Sequence, residues 1–185
     1  MKQKAKPRVH PPPSRIGRAL NIASILCLAA GFVLCIVFWG RLPDRIPIHF
    51  NAAGEADGWG ARGMIWLLPV ISTVLVPGML VLQRFPWLSN VPVAVNAENA
   101  IYQYRLVNRL LAVLSLAVSV VFLAILIETL MVALGEGSLL GGWMLPVLLA
   151  PTVGALGWYL ISAFRRPARV APGDSSDADQ LSSDP

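Results

Sequence analysis

"LPDRIPIHFNAAGEADGWGARG", residues 42–63, is a polar, turn-rich island that holds one of the chain's two histidines, with apolar sequence on both sides. Within "RIPIHFN" the side chains alternate, Ile46, Ile48 and Phe50 on one face and Pro47, His49 and Asn51 on the other. A period of two with one apolar side predicts a short strand. Pro43 and Pro47 argue against a central strand position, because proline brings no backbone donor. "NAAG" predicts a turn ending at Gly54, where a positive φ meets no Cβ, and Asp57–Gly58 is a second turn signal. Trp59 and Trp66 suit a headgroup layer, in which an indole keeps its N–H wet. The island therefore reads as a small folded cap over residues 41–63, with Ile46, Ile48 and Phe50 turned down onto a membrane.

The flanks supply that membrane. Only 14% of the residues are charged, against about 25% in an ordinary soluble domain. Four apolar stretches, Ala19–Trp39, Met64–Leu82, Leu110–Leu134 and Trp143–Phe164, match the ~20 residues that cross a hydrocarbon layer. Lipid offers the backbone no partner, and the strict alternation of a barrel strand is missing, so these segments are expected to be helices. The first is too long for a signal peptide and no small-x-small cleavage site follows it. The predicted fold is thus an all-α membrane bundle, residues 19–164, with a β-like cap between helices one and two.

Lysine and arginine set the expected orientation. The N-terminal tail, the loop at 83–109 and the C-terminal end together hold twelve, and the other two loops hold three. The rich side is cytoplasmic by the positive-inside rule, which puts both termini inside and the cap outside. The net charge of +5 is then a topology signal, and no basic surface with interleaved aromatics suggests nucleic acid. Residues 1–18 read as a basic, Pro-broken tail resting on lipid, with His10 solvated, and 165–185 as a disordered polar tail. Cys27 and Cys35 are two turns apart on one helix, which suits small buried residues and not a disulfide.

Inside the bundle, Pro69, Pro77, Pro146 and Pro151 are each expected to free a carbonyl and kink a helix. Ala150, Gly154 and Gly157 suggest a close helix contact, within the chain or between copies in a homo-oligomer. Glu128 is the one formal charge within a span, about 9 Å inside the end of the third. Its reading is either a shallow acid reaching the interface or an anchor for the cap through Arg41, Arg45 or His49. The segment 93–111 reads as an interfacial helix running into span three, with Glu98 and Asn99 near its start.

Three functions remain open for the cap. His49, Glu55 and Asp57 are its acid–base or metal-capable groups, but no HExxH, CxxC or nucleophile elbow accompanies them, so no catalytic, metal or cofactor site is assigned. Asn51 and Asp57 could simply close turns. Alternatively His49, Asn51, Gly54, Asp57, Gly58 and Trp59 form or structure a ligand-binding surface.

"LPDRIPIHFNAAGEADGWG" resembles the signature of the bacterial membrane family called domain of unknown function 1648, through Leu42, Pro43, Ile46, Pro47, His49, Phe50, Asn51, Gly54, Asp57 and Trp59. "NAENAIYQYRLVNRLL", residues 96–111, is similar to the family's second recurring segment. The resemblance implies a bacterial inner-membrane protein. The domain occurs in SdpI-type immunity proteins, which protect bacteria from a secreted toxic peptide. Those proteins carry further helices, so a role that depends on them does not transfer. The expected function is therefore non-enzymatic recognition of a secreted peptide or envelope protein, in immunity or signal sensing. A small transporter using Glu128 and the prolines is the alternative, and a membrane metal-dependent hydrolase the weakest reading.

Overall fold

A computed structural model of the chain describes residues 6–165. Four helices, α1 (Arg15–Phe38), α2 (Leu67–Leu82), α3 (Ala100–Ala133) and α4 (Met144–Phe164), are long and apolar enough, with their flanking turns, to cross a membrane. Between α1 and α2 lies an antiparallel hairpin of β1 (Arg45–Phe50) and β2 (Ala56–Ala61). This is a multi-pass membrane protein with four candidate spans. Leucines, valines and isoleucines exposed along α1, α2 and α4 are the surface such helices offer to lipid.

The centre of the bundle is α3, which packs against α1, α2 and α4. It is one unbroken helix of 34 residues, roughly 50 Å long against a ~30 Å hydrocarbon layer. The segment expected to lie along the interface is, from Ala100 on, continuous with the span. Its start is fixed by asparagines: Asn96 Oδ1 accepts from the N–H groups of Glu98 and Asn99, and Asn99 Oδ1 accepts from the Asn96 N–H. Each bond satisfies a donor near a helix end that has no partner within the helix. At this arginine-rich end Leu106 and Val107 pack with Tyr159 and Ala163 of α4. Tyr102 Oη and Gln103 Nε2 donate to the carbonyls of Ser162 and Ala163.

Several expectations are corrected. Helix α1 begins at Arg15, with Ser14 as its cap, inside the stretch assigned to the tail. The residues before it pack on the protein: Lys6 Nζ donates to the Ser89 carbonyl, Tyr104 Oη donates to that of Pro7, and His10 stands edge-on to Trp87 at 5.0 Å. Pro69 and Pro146 sit in the first turns of α2 and α4, where no intrahelical bond is lost; Pro77 and Pro151 alone are inside. Nothing lies within 4 Å of a Cβ placed on Gly154 or Gly157, so the close contact expected there is not made within the chain. Beyond Arg165, the tail read as disordered falls outside the described residues.

Candidate functional site

The hairpin is closed by one side chain. Asn51 Oδ1 accepts from the N–H groups of Ala53 and Glu55, and Asn51 Nδ2 donates to Glu55 Oε2. Backbone bonds from Asn51 N to Glu55 O and from Gly54 N to Asn51 O complete the turn, with Gly54 at φ +77°. At its base Arg62 N donates to Asp44 O, and Arg45 Nη2 donates to Trp59 O. An asparagine oxygen that mimics a backbone acceptor two residues back is what this turn chemistry requires.

The expected alternation along β1 breaks after Ile46. The register slips between Pro47 and His49 and again between His49 and Phe50. Ile46 and Pro47 are buried, Ile48 is 49% exposed and Phe50 half-buried. A bulge gives two residues of one strand the space of one on the other, so period two fails. Asp57 and Gly58, read as a second turn, lie within β2 instead. Gly58 faces His49, where an added Cβ would fall 2.9 Å from the His49 Cβ. The missing side chain is what lets His49 cross to Asp57, and His49 Nδ1 contacts Asp57 Oδ1.

Ile46, with Leu42, enters a core made by Cys35 of α1, Ile65 and Leu126 and Leu130 of α3. Beside it Trp66 lies against Trp39 at 5.9 Å, and the Arg62 guanidinium covers the Trp39 ring at 4.7 Å. The second attachment is at the tip. A Cβ on Gly54 would fall 2.0 Å from the carbonyl oxygen of Gly141, in the loop between α3 and α4.

That loop is held by Glu128. The acid is fully buried, and neither Arg41, Arg45 nor His49 is its partner. Its carboxylate accepts from the Ser138 hydroxyl, from Leu139 N at 3.1 Å to both oxygens, and from Leu140 N at 3.0 Å. Ser138 Oγ in turn accepts from Gly141 N. Three donors to one buried acid satisfy its oxygens, which is the condition under which an acid within a span is tolerated. Glu128 thus supports the hairpin through a loop backbone, as the chain Glu128–Leu140–Gly141–Gly54, and is neither a shallow surface acid nor a direct ion-pair anchor.

Of the candidate residues, the structure brings His49 and Asp57 together with Gly58 across from them, and places Asn51 and Gly54 in the turn. Glu55 turns away to Asn51. Trp59 is 46% exposed. Sequence reasoning missed Ser138, Leu140 and Gly141; "GEGS" at 135–138 and "GG" at 141–142, which hold two of them, were the available signal. A His–carboxylate pair can orient a base; the Ser138 hydroxyl, in the loop that meets the hairpin tip, donates to Glu128 instead.

A family model described as "Domain of unknown function (DUF1648)" matches residues 26–73, which span the second half of α1, the whole hairpin and the start of α2. The similar-looking segment at 96–111 lies outside that match. An uncharacterized protein of the archaeon Archaeoglobus fulgidus is 27% identical over 82 residues, 43% of this chain and 45% of that protein. The chain thus aligns with less than half the length of that relative. No solved structure matches the chain.

Proposed function

We propose that this membrane protein is non-enzymatic and presents its hairpin, on the outer face, as a recognition surface for a secreted peptide or envelope protein in immunity or signal sensing. The supporting observation is how the hairpin's side chains divide. Leu42, Ile46 and Gly54 are buried against the bundle, while Ile48, His49, Asp57 and Trp59 are exposed. A backbone already fixed at its base and tip loses little freedom on binding. Trp59 is an anchor of the kind interfaces favour, and a two-stranded sheet has free edges that an extended peptide can join. Residues 26–73 match a domain of unknown function, and it is the resemblance of the hairpin sequence to the domain of SdpI-type immunity proteins that suggests an envelope partner.

Transport finds less support. The Glu128 oxygens are taken by loop donors. A cavity midway along the spans, beside Cys27, Gly31, Ser72 and Ser119, measures about 10 Å³, room for one water at most. A hydrolase would need a third group beside His49 and Asp57, and Glu55 is committed to Asn51.

The test is survival of a deletion strain challenged with secreted peptide toxins, complemented by wild type, His49→Ala or Asp57→Ala at equal membrane abundance. Recognition predicts sensitivity on deletion and rescue by wild type alone. Equal survival of all strains would contradict it, and proton-coupled flux abolished by Glu128→Gln in proteoliposomes would favour transport.

A further inference from the structure

At the opposite end of the bundle from the hairpin, a cavity of about 990 Å³ opens between the start of α1, the end of α2 and the first turns of α3. Four arginines line it, Arg18 on α1, Arg84 just past α2, and Arg105 and Arg109 on α3, and no aspartate or glutamate does. Among the described residues none of the four has a carboxylate partner, since the ion pair found there joins His49 to Asp57. Arg105 and Arg109 are four residues apart on one helix, a spacing at which like charges repel. The Arg109 guanidinium is held over the Trp158 ring at 5.2 Å. Asn21 and Gln83 exchange amide hydrogen bonds of 2.9 and 3.2 Å, tying α1 to α2 beside the cavity.

The positive-inside rule explains why arginines gather at this end. It does not explain why four of them, from three elements, converge on one hollow. We infer that the cavity binds the phosphate diester of an anionic phospholipid from the leaflet at this end. Guanidinium groups fit phosphate oxygens in paired hydrogen bonds, and basic hollows between membrane helices are where such headgroups lodge. A lipid is favoured over a soluble phosphate by the walls: Leu80, still within the apolar run of α2, and Phe85 line the same cavity and offer a surface to the glycerol and upper acyl chain.

The experiment uses the full-length protein in detergent, with phosphatidylglycerol or phosphatidylcholine added and lipid retention read by native mass spectrometry. Phosphatidylglycerol should be retained well above phosphatidylcholine. Arg84→Gln with Arg105→Gln should lower that retention by roughly tenfold or more, given about 1 kcal/mol per basic residue near an anionic lipid. Arg15→Gln, a basic residue of the same end outside the cavity, should leave it unchanged. All four arginines are exposed, so the double variant should melt as wild type does. If it does not, each single variant carries the comparison. Equal retention of the two lipids would overturn the inference, as would an equal loss with Arg15→Gln, which would mean diffuse surface charge. Displacement of the lipid by inorganic phosphate would overturn it in favour of a free-anion site.

Discussion

Gly54, at the tip of the hairpin, lies against the backbone of Gly141 so closely that a Cβ on it would fall 2.0 Å from the Gly141 carbonyl oxygen. Its φ of +77° is equally restrictive. Gly54→Ala therefore cannot keep both the turn and the contact, and should cost about 2 kcal/mol, a fall of roughly 4–8 °C in Tm. Gly63→Ala, with nothing within 4 Å of the new Cβ, should stay near wild type. Melting of the two variants in the same detergent decides this.

Glu128→Gln removes one of two acceptor oxygens and points an amide N–H₂ at the backbone donors of Leu139 and Leu140. A buried donor left unpaired costs about 1–3 kcal/mol. The variant should lose several degrees in Tm, whereas Glu136→Gln, on an exposed residue of the same loop, should lose little. Equal melting of both variants would mean that the carboxylate does not hold the loop.

Ile46 and Ile48 look equivalent in the sequence and are not. Ile46 is 1% exposed in the core with Leu126 and Leu130, so Ile46→Ala should cost about 2–5 kcal/mol. For the half-exposed Ile48 the same change should cost well under ~1 kcal/mol. Chemical denaturation of the two variants measures the difference, and similar losses would restore the simple alternation.

Asn51→Ala deletes the acceptor for Ala53 N and Glu55 N and should destabilise the hairpin by about 1–3 kcal/mol. Asn51→Asp keeps that oxygen but sets a second carboxylate against Glu55, so it should recover only part of the loss. Protease susceptibility of the hairpin orders the three proteins.

The bundle and its cap were legible because their signals are local. Twenty apolar residues in a row permit one structure in lipid, and the Asn51–Gly54 turn is written in its own residues. What stayed hidden depends on partners distant in sequence or on backbone. A bulge at Pro47–His49 leaves no mark in the apolar pattern, so Ile48 was assigned to the wrong face. Glu128 reads in the sequence either as a shallow acid reaching the interface or as an anchor through a charged side chain, and it is neither. Its actual partners are mostly backbone N–H groups of residues 139 and 140, which any residue but proline could supply. Prolines at 69 and 146 looked like kinks because helix starts inside a long apolar run carry no polar boundary.

The Glu128-held loop fixes the hairpin at its tip. Hydrogen–deuterium exchange of the full-length protein in lipid nanodiscs, wild type against Glu128→Gln, tests it most directly. Faster exchange in the variant at residues 51–56 and 138–141, with the middle of α3 unchanged, is the predicted result. Unchanged exchange in the hairpin would contradict the account, because the cap would then stand without its support.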